Sequence, residues 1–276
     1  MSMVELESLM AKLEQMEHQP RIGLALAGGS AYGLAHIGVL RFIEEIGMPI
    51  HLVVGSSAGA AVGAVWACGV SSDQMHQAAK QSDWLFLAKP AAFKSGLLSS
   101  EGIENWISRF IGRRSFDELK IPFAATACDF RTGELVLLNE GDVAHAVRIS
   151  CTLPGIYYPV EYQGRLLVDG GLVQNLPAGV CRSLGAEYVI GVDLHANLAA
   201  WKPRTVVRSV IHAAHILQRQ HELVQLEQVD VAVQPKLGMM SPINFRPVDE
   251  YVDLGYQAAR EAADELKSML MGIVSE

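Results

Sequence analysis

Residues 53–59 of the chain read Val-Val-Gly-Ser-Ser-Ala-Gly and contain a Gly-x-Ser-x-Gly pentapeptide at Gly55, Ser57 and Gly59. An apolar run leads into the pentapeptide and a run of small residues leads out of it, which predicts a strand, a sharp turn and a helix. Such a turn would present the Ser57 hydroxyl at the end of a sheet, above a helix N-terminus. We expect glycine at both flanking positions because a side chain would collide with its neighbours there and because glycine tolerates positive φ. A glycine-rich turn without chemistry is the alternative interpretation of this segment alone.

Strands and helices alternate along most of the chain. Apolar runs at 22–27, 50–54 and 188–192 predict strands, and segments with helical periodicity separate them. This alternation predicts an α/β layered fold with a mostly parallel central sheet. We expect two parts, an N-terminal helical appendage over residues 1–19 and a single domain over residues 20–276. The appendage has apolar residues at helical spacing, so we expect it to pack on the domain or to form an oligomer contact.

Several further elements follow from local patterns. Residues 123–128 and 134–138 predict a strand pair joined by a turn. Long helices are predicted over 204–229 and 248–271. Capping boxes, in which a serine precedes Gln or Glu by three residues, predict helix starts at Ser71 and Ser115.

Composition and charge narrow the class of protein. Of the 276 residues, 50% are hydrophobic and 19% are charged, so the chain can bury a large core. The net charge of −8 argues against a nucleic-acid partner, because such proteins usually carry a basic surface. The four cysteines have neither CxxC spacing nor matching histidine pairs, so we expect reduced, largely buried thiols and no metal site. We also expect no cofactor. The acidic N-terminal residues lack a signal-peptide pattern, which favours a cytoplasmic location.

A glycine-rich loop and an aspartate follow two other predicted strands. Gly28, Gly29 and Ser30 come between a strand and a helix, where backbone N–H groups can bind an anion. The loop would serve either as a phosphate cradle for a nucleotide or as an oxyanion hole. The oxyanion hole fits better, because the glycine and lysine of nucleotide-binding loops are missing and Ser57 follows one βα unit later. Asp169 ends an apolar strand and precedes two glycines, so it either faces a site at the sheet edge or closes the strand with an Asx-turn.

An ordinary hydrolase triad would also require a histidine. His195 follows a predicted strand and is the best geometric candidate for that role. We expect His212, His215 and His221 at the surface or in packing contacts. His36 lies inside the first helix of the domain and is expected to be buried and hydrogen-bonded.

Several motifs resemble those of the patatin-like phospholipases in order and spacing. They are the loop and helix from Gly28 to Leu40, the pentapeptide from Gly55 to Gly59, Ser150-Cys151-Thr152-Leu153-Pro154-Gly155, Asp169-Gly170-Gly171 and Asn175-x-Pro177. Motifs that occur together in the right order are more specific than any one of them. The resemblance covers residues 20–195 strongly and the remainder loosely. It implies a three-layer α/β/α sandwich and release of fatty acid from lipid esters.

The resemblance also implies a Ser–Asp dyad without a catalytic histidine. Ser57 would be the nucleophile and Asp169 the base, with the oxyanion hole at Gly28, Gly29 and Ser30. Asp169 would accept the serine proton as an acyl-enzyme forms, and would then activate water. Because a free aspartate is a weak base for a hydroxyl, we expect desolvation to raise its pKa.

The chain departs from this family's pattern at two positions. Ser30 stands where a third glycine is usual, and Tyr32 replaces a basic residue of the same loop. If the basic residue shapes the oxyanion site, its loss would slow turnover or shift substrate choice; otherwise Tyr32 would line the pocket. A catalytically weak or inactive protein that binds lipid or a partner is therefore one alternative. A nucleotide-binding α/β protein is the other.

The expected substrate is a lipid or another acyl ester. The residues do not distinguish phospholipid, lysophospholipid, acylglycerol and small soluble esters. They leave transient, peripheral contact with a membrane surface open. The apolar stretch over residues 84–93 would form either a cap that faces the substrate or a core helix under the sheet.

Overall fold

The computed structural model describes residues 3–16, 19–84, 98–196, 205–238 and 240–275. The strands of these residues are β1 (Ile22–Leu26), β2 (Leu52–Ser56), β3 (Phe123–Asp129), β4 (Leu135–Leu138), β5 (Val160–Tyr162), β6 (Arg165–Asp169), β7 (Tyr188–Val192) and β8 (Val231–Val233). They form one sheet in the order β5-β6-β3-β2-β1-β7-β8, with β4 paired to β3 outside this path. The helices are α1 (Met3–Glu14), α2 (Ala35–Glu45), α3 (Ala58–Ala67), α4 (Ser72–Gln81), α5 (Glu101–Ile111), α6 (Val143–Ser150), α7 (Ala178–Ser183), α8 (Val206–Gln225), α9 (Val248–Glu261) and α10 (Ala263–Ser275).

The centre of the sheet is parallel and covered on both faces. Strands β3, β2, β1, β7 and β8 run parallel to their neighbours in this order. Leu26 of β1 packs beside Gly63 of α3, whereas Gly23 of β1 packs beside Cys181 of α7. Residues three apart on a strand point to opposite faces, so α3 and α7 cover opposite sides of the sheet. The predicted α/β sandwich with a mostly parallel sheet is confirmed.

The length of β3 determines where Asp169 lies. Strand β2 pairs with β3 only as far as Ser56 opposite Thr126. The antiparallel strand β6 pairs with β3 from Ala127, which lies opposite Asp169. Strand β4 pairs with β3 over residues 125–128 and overlaps both of those pairings, so it occupies the other edge of β3. Strands β2 and β6 therefore pair with successive stretches of the same edge of β3. Asp169, at the end of β6, lies in space next to the end of β2.

Some predicted elements differ from the observed ones. Helix α1 ends at Glu14, before the predicted limit at 19. The helix predicted over 248–271 is two helices that meet at Ala262, because α9 packs along α2 whereas α10 packs against α1 and β8. The helix predicted over 204–229 is α8 followed by a 3-10 turn. Strand β5 was not predicted, since three residues are too few to show a period of two.

Other local predictions are confirmed. Strands β3 and β4 form the predicted antiparallel pair. Both capping boxes are present, although the one at Ser115 opens only a short 3-10 turn. In α1, Leu6 and Leu13 are buried and belong to the same apolar core as the sheet. The stretch over 84–93, for which a cap or a core helix was expected, lies outside the described residues, apart from Trp84.

Candidate active site

Ser57 occupies a strained turn between β2 and α3. Its backbone has φ of 50° and ψ of −121°, a conformation that costs a non-glycine residue about 1–3 kcal/mol. The flanking glycines provide space rather than unusual dihedrals. A Cβ on Gly55 would lie 2.5 Å from the backbone of Ala60, and one on Gly59 would overlap the carbonyl of Leu26. The expected collisions are therefore present, but the positive φ expected for glycine falls on the serine itself.

The Ser57 hydroxyl donates a hydrogen bond to Asp169, from Oγ to Oδ2, at 2.6 Å. The other carboxylate oxygen of Asp169 accepts the N–H of Gly171 at 2.8 Å. Asp169 is only 2% exposed, and this burial raises its pKa from 3.8 to about 6, against the opposing effect of its two hydrogen bonds. The expectation that desolvation would raise this pKa is confirmed. The turn itself is fixed because the backbone N–H of Ser57 donates to the buried hydroxyl of Ser150.

The glycine-rich loop between β1 and α2 approaches the serine closely. A Cβ on Gly28 would lie 2.9 Å from the Cβ of Ser57, which is closer than ordinary contact. The N–H of Gly28 already donates to the carbonyl of Asn175 at 3.2 Å. Of the three candidate oxyanion donors, Gly29 and Ser30 are therefore the ones whose N–H groups have no protein acceptor in the described ranges. Ser30 has φ of 53°, so this loop also contains a strained residue.

Ser57 and Asp169 line a cavity of about 340 Å³. Its polar lining includes Ser57, Asp169, His215 and Gln218. The remaining walls are largely apolar and include Ile103, Trp106, Leu153, Ile156 and Phe245. A pocket of this size is typical of sites for small molecules or parts of larger ones.

A smaller apolar cavity of about 90 Å³, here called the annex, adjoins this site. The two cavities share six lining residues, Ser30, Ala58, Ala61, Trp84, Trp106 and Phe245. Behind them the annex is enclosed by small and apolar side chains of α3 and α4, among them Val65, Met75 and Ala79. The shared aromatic residues pack on each other, with ring centroids of Trp84 and Phe245 4.7 Å apart. The site thus continues into an apolar recess.

Tyr32 is not among the residues that line this cavity. It is 5% exposed, its hydroxyl donates to the carbonyl of Met240 at 3.1 Å, and its ring packs against His195 and His215. The expectation that Tyr32 would line the pocket is therefore wrong, because its side chain is held in the core by this hydrogen bond. A basic side chain in the same place would have to be buried, which is costly without a partner.

The histidines occupy different environments. His195 is fully buried and donates from Nδ1 to Glu222 at 2.8 Å, and no hydrogen bond joins it to Ser57 or Asp169. The geometric argument for His195 as a triad base is therefore wrong. His36 is buried and bonded through Nε2 to the carbonyl of Ala27, as expected. His215 packs against Tyr32 but also lines the cavity wall, where burial lowers its pKa to about 3.

Helix α8 has the reverse of the usual arrangement of polar and apolar side chains. The polar residues His215, Gln218, Glu222 and Gln225 are buried, whereas apolar residues such as Leu217 and Val224 are mostly exposed. The buried set recurs at intervals of three and four residues, which defines one face of a helix. Glu222 was not predicted as a functional residue, although this polar spacing is visible in the sequence. All four cysteines are free, and Cys128 and Cys181 are buried.

A family model described as patatin-like phospholipase matches residues 24–182. An uncharacterized NTE family protein of Mycobacterium tuberculosis is 37% identical over 182 residues, which cover 65% of this chain and 51% of that protein. Patatin-like phospholipase domain-containing protein 7 of Mus musculus is 29% identical over 92% of this chain and 21% of its own length. The crystal structure of VipD from Legionella pneumophila has the same fold, with a TM-score of 0.55 and 13% identity over 88% of this chain and 67% of that one.

The chain spans about half the length of the mycobacterial relatives that it matches. Within the described ranges, every helix is too short or too polar to cross a lipid bilayer.

Proposed function

Because the chain belongs to the patatin-like phospholipase family, we propose that it hydrolyses acyl esters, with Ser57 as nucleophile and Asp169 as general base. The observation that carries this proposal is the 2.6 Å hydrogen bond between the two side chains, at the N-terminus of α3 and in the wall of a cavity. A hydroxyl requires a neighbouring base to become a nucleophile, and the base must lie within hydrogen-bond reach.

Acylation begins when Ser57 Oγ attacks the ester carbonyl carbon and its proton passes to Asp169. The carbonyl oxygen becomes an oxyanion, which the N–H groups of Gly29 and Ser30 would stabilise; one such donor is worth about 3 kcal/mol. The bond between the carbonyl carbon and the alkoxy oxygen then breaks. The departing alcohol takes the proton back from Asp169, and the acyl group stays on Ser57.

Deacylation repeats these steps with water. Asp169 accepts a proton from water, the resulting hydroxide attacks the acyl carbon, and the C–O bond to Ser57 breaks as the serine recovers its proton. The raised pKa of Asp169, about 6, supports both steps, because a base is most effective when its pKa is near the working pH.

The apolar annex is evidence that the part of the substrate bound beside Ser57 is an acyl group. It adjoins the cavity that Ser57 and Asp169 line, and Ser30 is the polar residue in its lining. An unbranched alkyl chain can occupy such a recess, where its burial contributes about 0.8 kcal/mol for each methylene group.

Labelling with a fluorophosphonate tests the nucleophile, and hydrolysis of p-nitrophenyl esters of increasing acyl length tests turnover. We expect the wild-type protein to be labelled and to hydrolyse the esters, and Ser57→Ala to lose both properties. Phospholipid and lysophospholipid assayed in parallel identify the class of lipid.

The Ser71→Ala variant is a suitable control, since Ser71 caps a helix and lines neither cavity. Labelling that persists in Ser57→Ala, or ester hydrolysis that does not depend on Ser57, would refute the proposal. A wild-type protein that binds lipid vesicles but is never labelled would favour the inactive lipid-binding alternative.

A further inference from the structure

A buried acid, an imidazole and an amide lie together beneath the glycine-rich loop. Glu222 of α8 and His195 after β7 are both 0% exposed. The Oε1 atom of Glu222 accepts hydrogen bonds from His195 Nδ1, at 2.8 Å, and from the Asn175 side-chain amide. The carboxylate therefore receives two donors, one from the element after β7 and one from the segment after β6.

Asn175 connects this acid to the loop. Its backbone carbonyl accepts the N–H of Gly28 at 3.2 Å, and its Nδ2 donates to the carbonyl of Gly28 at 3.4 Å. Its Oδ1 lies between two glycines, since a Cβ built on either Gly28 or Gly171 would be 2.5 Å away from it. Gly171 in turn donates to Asp169. The Asn175 side chain thus contacts both Gly28, which directly precedes the proposed oxyanion donors, and Gly171, which follows the proposed base Asp169.

The acid decides which way this amide points. An asparagine side chain has one acceptor end and one donor end of nearly equal size. Both Nδ2 contacts, to Glu222 and to the Gly28 carbonyl, require the donor end on that side. Without an acceptor at position 222, the amide loses its charge-assisted hydrogen bond, and only the longer contact of 3.4 Å to the Gly28 carbonyl still favours that orientation.

This arrangement is poorly explained by stability alone. Buried ion pairs contribute little to folding relative to apolar side chains of the same size, because desolvation offsets their attraction. Asp193 is a second buried carboxylate in the same place. It accepts hydrogen bonds from the His195 backbone N–H and from Arg219. Glu222 and His195 both lie after residue 182, beyond the part of the chain that the family model matches.

We propose that Glu222 is a positioning residue for the oxyanion site. It fixes the Asn175 amide, and the amide holds Gly28, so that the N–H groups of Gly29 and Ser30 face the carbonyl under attack. His195 acts one step further away, because its Nδ1–H fixes the carboxylate of Glu222. This inference rests on the proposed hydrolase function and extends the site to helix α8.

Two substitutions at one position form a matched test. Glu222→Gln and Glu222→Met both remove the charge and keep the side-chain length, but only glutamine keeps an oxygen acceptor for Asn175. On p-nitrophenyl butyrate, we expect Glu222→Gln to stay within about threefold of wild-type kcat and Glu222→Met to lose about 100-fold, the loss expected when a reacting group is displaced by about 1 Å. KM should stay nearly constant, because the donors act on the transition state. Equal kcat values for the two variants, or a loss confined to KM, would overturn the proposal.

Asn175→Ala provides an independent variant, because it leaves the pair of Glu222 and His195 in place. It decides the question if Glu222→Met does not fold, as thermal unfolding would reveal. We expect a similar loss of kcat, and no further loss in the combined variant, because both changes act through one amide. Wild-type kcat in Asn175→Ala, or additive losses, would contradict the proposal.

The exposed Glu227→Ala is the matched control and should keep wild-type kcat and KM. The failure of this inference differs from the failure of the hydrolase function. The function fails if turnover does not depend on Ser57. The inference alone fails if turnover depends on Ser57 but either Glu222→Met or Asn175→Ala keeps the wild-type rate.

Discussion

Two of the buried carboxylates lie in different surroundings, Asp169 beside the proposed nucleophile Ser57 and Glu222 in helix α8, and their pKa values change in opposite directions. Asp169 is 2% exposed, and burial raises its pKa to about 6, since its partners Ser57 and Gly171 are neutral. Glu222 is 0% exposed, and burial likewise acts to raise its pKa. The His195 ring, the Asn175 amide and Arg219 more than offset that effect, so the pKa of Glu222 is lowered.

The difference shows that burial alone does not set the charge of an acid in this protein. The partners decide it. A carboxylate with neutral partners holds a proton readily and can act as a base near neutral pH. A carboxylate with cationic and amide donors stays ionised and can anchor other groups. The two acids are therefore suited to different tasks.

The largest expected effect is a difference in ester hydrolysis between variants of Asp169 and Glu222. Asp169→Asn removes the base but preserves shape, and we expect kcat/KM to fall about 10⁴-fold, as in hydrolases that lose one member of the catalytic group. Glu222→Gln keeps an acceptor for Asn175, so its activity should stay close to that of the wild type. Steady-state kinetics on one ester measures both. Similar losses in the two variants would remove the functional distinction between the acids.

The second prediction concerns pH. Only ionised Asp169 can accept the serine proton, so kcat/KM should fall about tenfold per pH unit below the pKa of about 6 and level off above it. Because the pKa of Glu222 is lowered, Glu222 stays ionised in that range, and Glu222→Gln should leave the inflection unchanged. A pH–rate profile from about pH 5 to pH 8 measures the inflection. An inflection that moves in Glu222→Gln would show that the two carboxylates titrate together.

The smallest expected effect is on stability. The pKa of Asp169 is higher in the folded protein than the ordinary 3.8, so the folded state binds the proton more tightly and ionisation destabilises it as pH rises through about 4 to 6. Asp169→Asn lacks this cost, and relative to wild type it should gain up to about 3 kcal/mol in free energy of unfolding between pH 4 and pH 8. For Glu222 the sign is reversed. Its folded pKa is lowered, so its ionised form adds stability above the unfolded pKa.

Glu222→Gln should therefore lose about 1–3 kcal/mol at neutral pH, the usual worth of hydrogen bonds to a charged group. Urea unfolding at the two pH values measures both variants. The two carboxylates do not differ as described if the stability of Asp169→Asn relative to wild type falls from pH 4 to pH 8, or if Glu222→Gln is more stable than wild type at neutral pH.

Local elements were largely predictable from the chain. The apolar runs at 22–27, 50–54 and 188–192 predicted β1, β2 and β7 to within two residues of their observed limits. The break at Ala262 and the three-residue strand β5 were not, because neither has a local signal. The role of Tyr32 was also missed, since its place in the core depends on Met240 and His215, which are distant in sequence.

The sequence by itself determined the position of Ser57, because a strand, a tight turn and a helix are all encoded by neighbouring residues. The sequence left two interpretations of Asp169, a site residue at the sheet edge or an Asx-turn that closes the strand. Only the family resemblance favoured the site residue. The tertiary structure decided that Asp169, 112 residues away, meets Ser57 Oγ, because β6 continues the edge of β3 where β2 ends. Only the tertiary structure connects Glu222 to Gly28, through the side chain of Asn175. Pairing between strands and packing between helices depend on long-range contacts, which local periodicity does not specify.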